Sequence, residues 1–125
     1  MIVLDTQMWI WFHTGDSRLS ANVATRVNRE SQLSAASLWE LMILIQKGRI
    51  KSVFSAKETV QKWLDLAPMV VVPVDAEIAI LSRTLEFSHD DPADRFIAAT
   101  AYRAGTLLAT VDSRLEGLSW LQTIS

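Results

Sequence analysis

The chain has 125 residues, half of them hydrophobic, the size of one domain spanning residues 1–125 with one sizeable core. Twelve Lys and Arg stand against 14 Asp and Glu, a formal charge of −2; with four acids set aside for a metal, the remaining surface is slightly basic. That balance suits a phosphate-rich partner without being a nucleic-acid signature by itself. The absence of cysteine excludes disulfides, thiolate zinc sites and cysteine nucleophiles, and leaves oxygen ligands. No apolar run approaches the ~18 residues of a membrane span, and the opening MIVLD carries no basic leader or cleavage signal, so a cytoplasmic protein with no membrane contact is expected.

Taken in order, Ile2 to Leu4 is a short β-prone run that stops at Asp5 and feeds a helix over Thr6 to His13, broken by Thr14-Gly15-Asp16. Ser20 caps a second helix through about Glu30, with Val23 and Val27 on its inner side. Leu33 to Ala36 reads as a small-residue strand. Ser37 caps the next helix, Leu38 to Gln46, placing Glu40 in its first turn in a capping-box pattern, and Gly48 ends it. Another helix starts at Ser55 and runs to about Leu66.

Met69 to Val72, between Pro68 and Pro73, is the most β-like stretch and is expected to be buried on both faces. Asp75 caps a helix carrying Ile78, Leu81 and Leu85, and Asp91-Pro92 opens another that continues to Arg103 and ends at Ala104-Gly105. Leu107 to Ala109 is a fourth strand closed by Thr110-Val111-Asp112, and Trp120 to Ile124 offers a short fifth. Strands alternating with helical crossovers give an α/β fold with a parallel sheet covered on both faces.

Ligands of an open α/β sheet bind beyond the carboxyl ends of its strands. Asp5, Glu40 and Asp112 belong at that edge, and Asp94 joins from the first turn of the helix opened by Asp91-Pro92. Carboxylates gathered there repel one another unless a cation is present, and Mg²⁺ and Mn²⁺ favour such oxygen ligands. Each acid also has a structural reading. Asp5 and Asp91 read as N-caps, Asp91 with a supporting metal role as its second reading, Glu40 as the partner of Ser37, Asp94 as a helix-dipole acid and Asp112 as a turn residue. His89 reads as a local hydrogen-bonding residue outside the site. Arg95 reads as a structural ion pair, with a phosphate contact as the alternative, and Lys47, Arg49 and Lys51 as a solvated helix end that can also touch RNA. Trp9, Trp11, Phe12, Trp39, Leu44, Ile45 and Trp63 supply core, with some left for a subunit or partner interface. No Gly-rich phosphate loop, nucleophile elbow or paired-histidine zinc motif occurs.

Four segments in order resemble the motifs of the PIN-domain ribonucleases, and more closely the VapC-type toxins of toxin–antitoxin pairs. They are I-V-L-D-T from Ile2, S-A-A-S-L-W-E from Ser34, H-D-D-P-A-D-R-F-I-A-A-T-A from His89 and L-L-A-T-V-D from Leu107. The resemblance covers nearly the whole chain. It implies a three-layer α/β/α PIN-like domain with a mostly parallel four- or five-stranded central sheet. It further implies that Asp5, Glu40, Asp94 and Asp112 hold one or two Mg²⁺ or Mn²⁺ ions, directly or through waters, with Thr110 as a supporting hydroxyl. The implied activity is endoribonucleolytic cleavage by metal-activated water, in a homodimer held by a VapB-like antitoxin whose tail reaches the acids. Many relatives carry a lysine four residues after the second-motif Glu; here that position is Leu44, with Lys47 nearby. Housekeeping RNA processing, structure-specific nuclease action and a non-catalytic RNA-binding scaffold are the alternative functions.

Overall fold

Five short strands pair in one wholly parallel sheet of order β3-β2-β1-β4-β5 in a computed structural model that describes residues 1–125. The elements are β1 (Ile2–Leu4), α1 (Thr6–Thr14), α2 (Ala21–Ala24), β2 (Gln32–Ser34), α3 (Ala35–Gln46), α4 (Ala56–Leu66), β3 (Val70–Val72), α5 (Ala76–Thr84), α6 (Pro92–Ala104), β4 (Leu107–Ala109), α7 (Ser113–Glu116) and β5 (Thr123–Ile124). The order places β1 at the centre, and the chain builds outward through β2 and β3 before returning to lay β4 on the other side of β1. That reversal makes a topological switch point between the carboxyl ends of β1 and β4, the crevice where open α/β sheets hold ligands.

The alternation of a strand divides the core into two layers. Ile2 and Leu4 point into one, with Met8, Trp9, Val23, Leu33, Leu41 and Val60. Val3 points into the other, with Ala36, Ile97, Ala98, Ala101, Leu108 and Leu115. Helices therefore cover both faces, giving the three-layer α/β/α architecture. Small side chains on α6, among them Ala93, Ala98 and Ala101, let that helix lie close to the sheet and bring its amino end to the strand ends. No helix is long and apolar enough to cross a membrane.

Four local expectations are corrected. The helix capped by Ser20 stops at Ala24 rather than near Glu30, because the Thr25 hydroxyl bonds back to Ala21 O and Asn28 Oδ1 accepts the Glu30 N–H, local bonds that compete with helix. Ser34, not Ser37, caps α3, its hydroxyl accepting the Ala36 N–H at 3.1 Å. Ala35 and Ala36, read as strand, are strong helix formers and begin the helix instead. The strand expected to be buried on both faces is an edge strand, with Val70 48 % and Val71 37 % exposed and only Val72 buried. The fifth strand is confined to Thr123–Ile124.

Candidate active site

Asp5 is the first residue beyond β1, tied to the sheet by its N–H on Ala109 O at 2.9 Å. Its Oδ1 caps α1 by accepting the Thr6 N–H, and its Oδ2 accepts the Thr110 hydroxyl, each at 2.7 Å. The residue is only 8 % exposed and no cationic side chain touches it. Burial therefore pushes the carboxyl up to about 6; the Thr110 hydrogen bond opposes the shift and the charge of Asp94 adds to it.

Glu40 lies in the second turn of α3, a consequence of the helix starting at Ala35. The capping-box pairing with Ser37 does not form. The Thr6 hydroxyl donates toward Glu40 Oε1 at 2.5 Å and lies 2.8 Å from the Ser37 hydroxyl, so both residues serve the cleft rather than the helix end. Burial pushes Glu40 up to about 7, opposed by the Thr6 bond and reinforced by the charges of Asp94, Asp5 and Asp91.

On the other side, Asp91 caps α6 by accepting the Asp94 N–H at 3.1 Å, with Pro92 opening the helix. This places Asp94 one turn in, its Oδ2 2.8 Å from His89 Nε2. Burial raises Asp94, and the His89 hydrogen bond opposes the rise. Asp112, just past β4, caps α7 and takes a two-pronged contact from Arg114: Nε to Oδ1 at 3.1 Å and Nη2 to Oδ2 at 2.9 Å. That contact holds Asp112 below the usual carboxylate range. Arg114 Nη2 also lies 3.6 Å from Asp94 Oδ2.

These elements leave a cleft of about 600 Å³ lined by Asp5, Glu40, Asp91, Asp94 and Asp112 together with Thr6, Leu44 and Arg114. Thr110 lies beneath it, fully buried, bonded to Asp5 and accepting the Asp112 N–H at 3.1 Å, so one hydroxyl ties the two strand ends together. Arg95 does not line the cleft. It packs over Phe87, donates to His89 O and Ser82 O at 3.1 and 2.9 Å, and pairs with Asp90 at 3.3 Å, thereby pinning the loop that carries His89. Lys47, Arg49 and Lys51 are exposed and none lines the cleft.

His89, expected outside the site, is a nearly buried part of it. His89, Asp94 and Asp112 each present a ligand atom within 4.8 Å of the others. Thr6 and Arg114 were not foreseen in the site. The D-x-R spacing of Asp112 to Arg114 signals the local fork, which the chain repeats at Asp16 and Arg18, but not its position over the acids.

A three-layer α/β/α fold with carboxylates gathered at its switch point is the arrangement expected of a PIN-like domain. The PIN domain family model matches residues 2–121, and Ribonuclease VapC22 of Mycobacterium tuberculosis is 32% identical over 120 residues, covering 92% of this chain and 89% of that protein. The chain belongs to the PIN-domain family, among the VapC ribonucleases. Two solved structures show the same fold. VapBC2 from Rickettsia felis, bound to a DNA fragment from its promoter, has a TM-score of 0.71 at 20% identity, covering 99% of this chain and 98% of that one. VapC20 from M. tuberculosis, described as a sarcin-ricin loop cleaving toxin, has a TM-score of 0.69 at 18% identity, covering 98% and 99%.

Proposed function

We propose that the protein is a Mg²⁺- or Mn²⁺-dependent endoribonuclease, the toxin of a toxin–antitoxin pair acting in the cytoplasm on RNA phosphodiesters. The observation that carries this reading is the Asp5–Glu40 side of the cleft. Two desolvated carboxyls there are pushed up to about 6 and about 7, and only hydroxyl and amide donors satisfy them. A divalent cation removes that conflict, and the donor set of carboxylate oxygens fits a hard ion. Asp5, Glu40, Asp94 and Asp112 are the residues that would hold it. When bound, such an ion supplies Lewis acidity toward the phosphate and a water of lowered pKa.

The chain's own contribution is orientation. Thr110 and the Thr6 N–H fix both oxygens of Asp5, the Thr6 hydroxyl fixes Glu40, and His89 fixes Asp94. Partners of this kind hold ligand carboxylates in place before an ion or a substrate arrives. Likeness to the VapBC assemblies and to a VapC ribonuclease supports a VapB-like antitoxin partner and an RNA substrate. Trp39, 56 % exposed on α3, offers an apolar contact for an antitoxin or for the second subunit of a homodimer.

The test is cleavage of a mixed structured RNA pool by partner-free protein with Mg²⁺ or Mn²⁺, beside EDTA and Asp94→Asn controls. Metal-dependent cutting lost in both controls is expected. Full cutting by a folded Asp94→Asn protein overturns the site assignment, and RNA binding without metal-dependent cutting by the unaltered protein overturns the enzyme in favour of a scaffold.

A further inference from the structure

The cleft is lined by five carboxylates and, among its lining side chains, a single cation, Arg114. A substrate that is itself a polyanion meets strong repulsion there, and its phosphates need positive charge within reach. Arg114 is built to give it. Asp112 accepts its backbone N–H at 2.9 Å as well as Nε and Nη2, so the side chain is folded over its own helix turn in one orientation. A guanidinium carries five N–H donors in a planar fork. Asp112 takes two, a third lies near Asp94, and the two on Nη1 bond to nothing in the protein. The side chain is 53% exposed, open to an incoming ligand.

The fork alone would prove nothing, because Asp16 and Arg18 make the same one, with the backbone N–H at 2.9 Å, Nε at 3.0 Å and Nη2 at 2.7 Å. That second arginine lies over the Trp11 ring, outside the cleft. The difference is position. At Asp112 the fork stands beside Asp94 and lines the same cleft as Asp5 and Glu40, with its counter-ion already in place.

Resting on the nuclease reading above, we infer that Arg114 is the phosphate-binding residue of this site. Asp112 serves it as a positioning carboxylate. In this arrangement Arg114 supplies the charge-assisted hydrogen bonds to phosphate oxygens that a second cation would otherwise provide.

The experiment compares Arg114→Ala, Arg114→Lys and, as a control for the isolated fork, Arg18→Ala. Each protein is titrated with Mn²⁺ in the absence of RNA, and single-turnover cleavage is then followed against RNA concentration. Arg114→Ala is expected to cleave about 10- to 100-fold more slowly at subsaturating RNA, the range for losing a hydrogen bond to a charged group, and to need more RNA for half-saturation. It should still bind Mn²⁺ with undiminished affinity. Arg114→Lys recovers part of the loss, and Arg18→Ala matches the unaltered protein. Undiminished or faster cleavage with tighter Mn²⁺ binding overturns the inference, making Arg114 a placeholder that the ion displaces. Loss of Mn²⁺ binding in Arg114→Ala overturns it as well. If the unaltered protein neither binds Mn²⁺ nor cleaves RNA, it is the nuclease reading that fails, and this inference falls with it.

Discussion

Asp5 and Asp112 occupy equivalent places, each the cap of a helix just past one of two adjacent parallel strands, yet their surroundings are opposite. Asp5 is buried among hydroxyl and amide donors and sits at about 6, whereas Asp112 is held below the ordinary carboxylate range by Arg114. Glu40 sides with Asp5 at about 7. Asp94 stands between the two, raised by burial and answered by His89. One side of the cleft thus calls for a cation from outside and the other carries its own. Four acids at a sheet edge are not four equivalent ligands; the side chains behind each decide what it can do.

The largest break in that contrast comes from replacing one acid on each side. Asp5→Asn should lose more than the ~10- to 100-fold in metal affinity or activity that removal of an orienting partner costs, while making the metal-free fold more stable. The sign follows from linkage. Asp5 titrates near 3.8 unfolded and about 6 folded, so the native state holds the extra proton between those values and its stability falls as pH rises through them. The penalty carried by ionised Asp5 at pH 8 is about 3 kcal/mol. Asn removes it, so the stabilisation seen by urea unfolding in EDTA should be largest at pH 8 and fade toward pH 4. His13, pushed down to about 4 by burial, pulls the other way below the ordinary histidine value of 6.5. The Asp5 contribution is therefore read as the difference between the two proteins, not from one profile. Asp112→Asn, by contrast, should change stability by less than about 1 kcal/mol, since its partner Arg114 is half exposed and Asn still caps a helix. Equal pH profiles for the two substitutions would erase the distinction between the sides.

A smaller effect is expected at the residue joining them. Thr110→Val keeps shape but removes a buried hydroxyl that donates to Asp5 and accepts from Asp112 N–H. It should cost about 1–3 kcal/mol of stability and about 10- to 100-fold in Mn²⁺ affinity. Unfolding and Mn²⁺ titration check both, and unchanged affinity would show that Asp5 needs no second anchor.

Much of this was legible in the chain because the signals were local. Asp75 capping α5, Asp91-Pro92 opening α6 and Gly105 closing it in a left-handed conformation each carry their own geometry. Where two signals competed, position was lost. Ser37 fits the capping-box pattern and Ser34 reads as strand, yet Ser34 is the cap, and that three-residue shift moves Glu40 by a turn of helix. The valines of β3 announce a strand but not that it lies at an edge, since edge or centre depends on what pairs beside it. The four acids were placed by their position after strands and at a helix start, which the fold then gathers into one cleft. His89 and Arg114 were missed as parts of it because each arrives through a loop or a four-residue helix whose path the sequence pattern does not specify.

The most direct test of the unequal cleft is calorimetric titration with Mn²⁺ at pH 6.5 in buffers of different ionisation enthalpy, which counts the protons displaced. Because Asp5 and Glu40 titrate at about 6 and about 7, both are partly protonated there, and binding should release protons, fewer in Asp5→Asn. Mn²⁺ binding without proton release, or release that Asp5→Asn leaves unchanged, would contradict an ion seated on the Asp5 and Glu40 side.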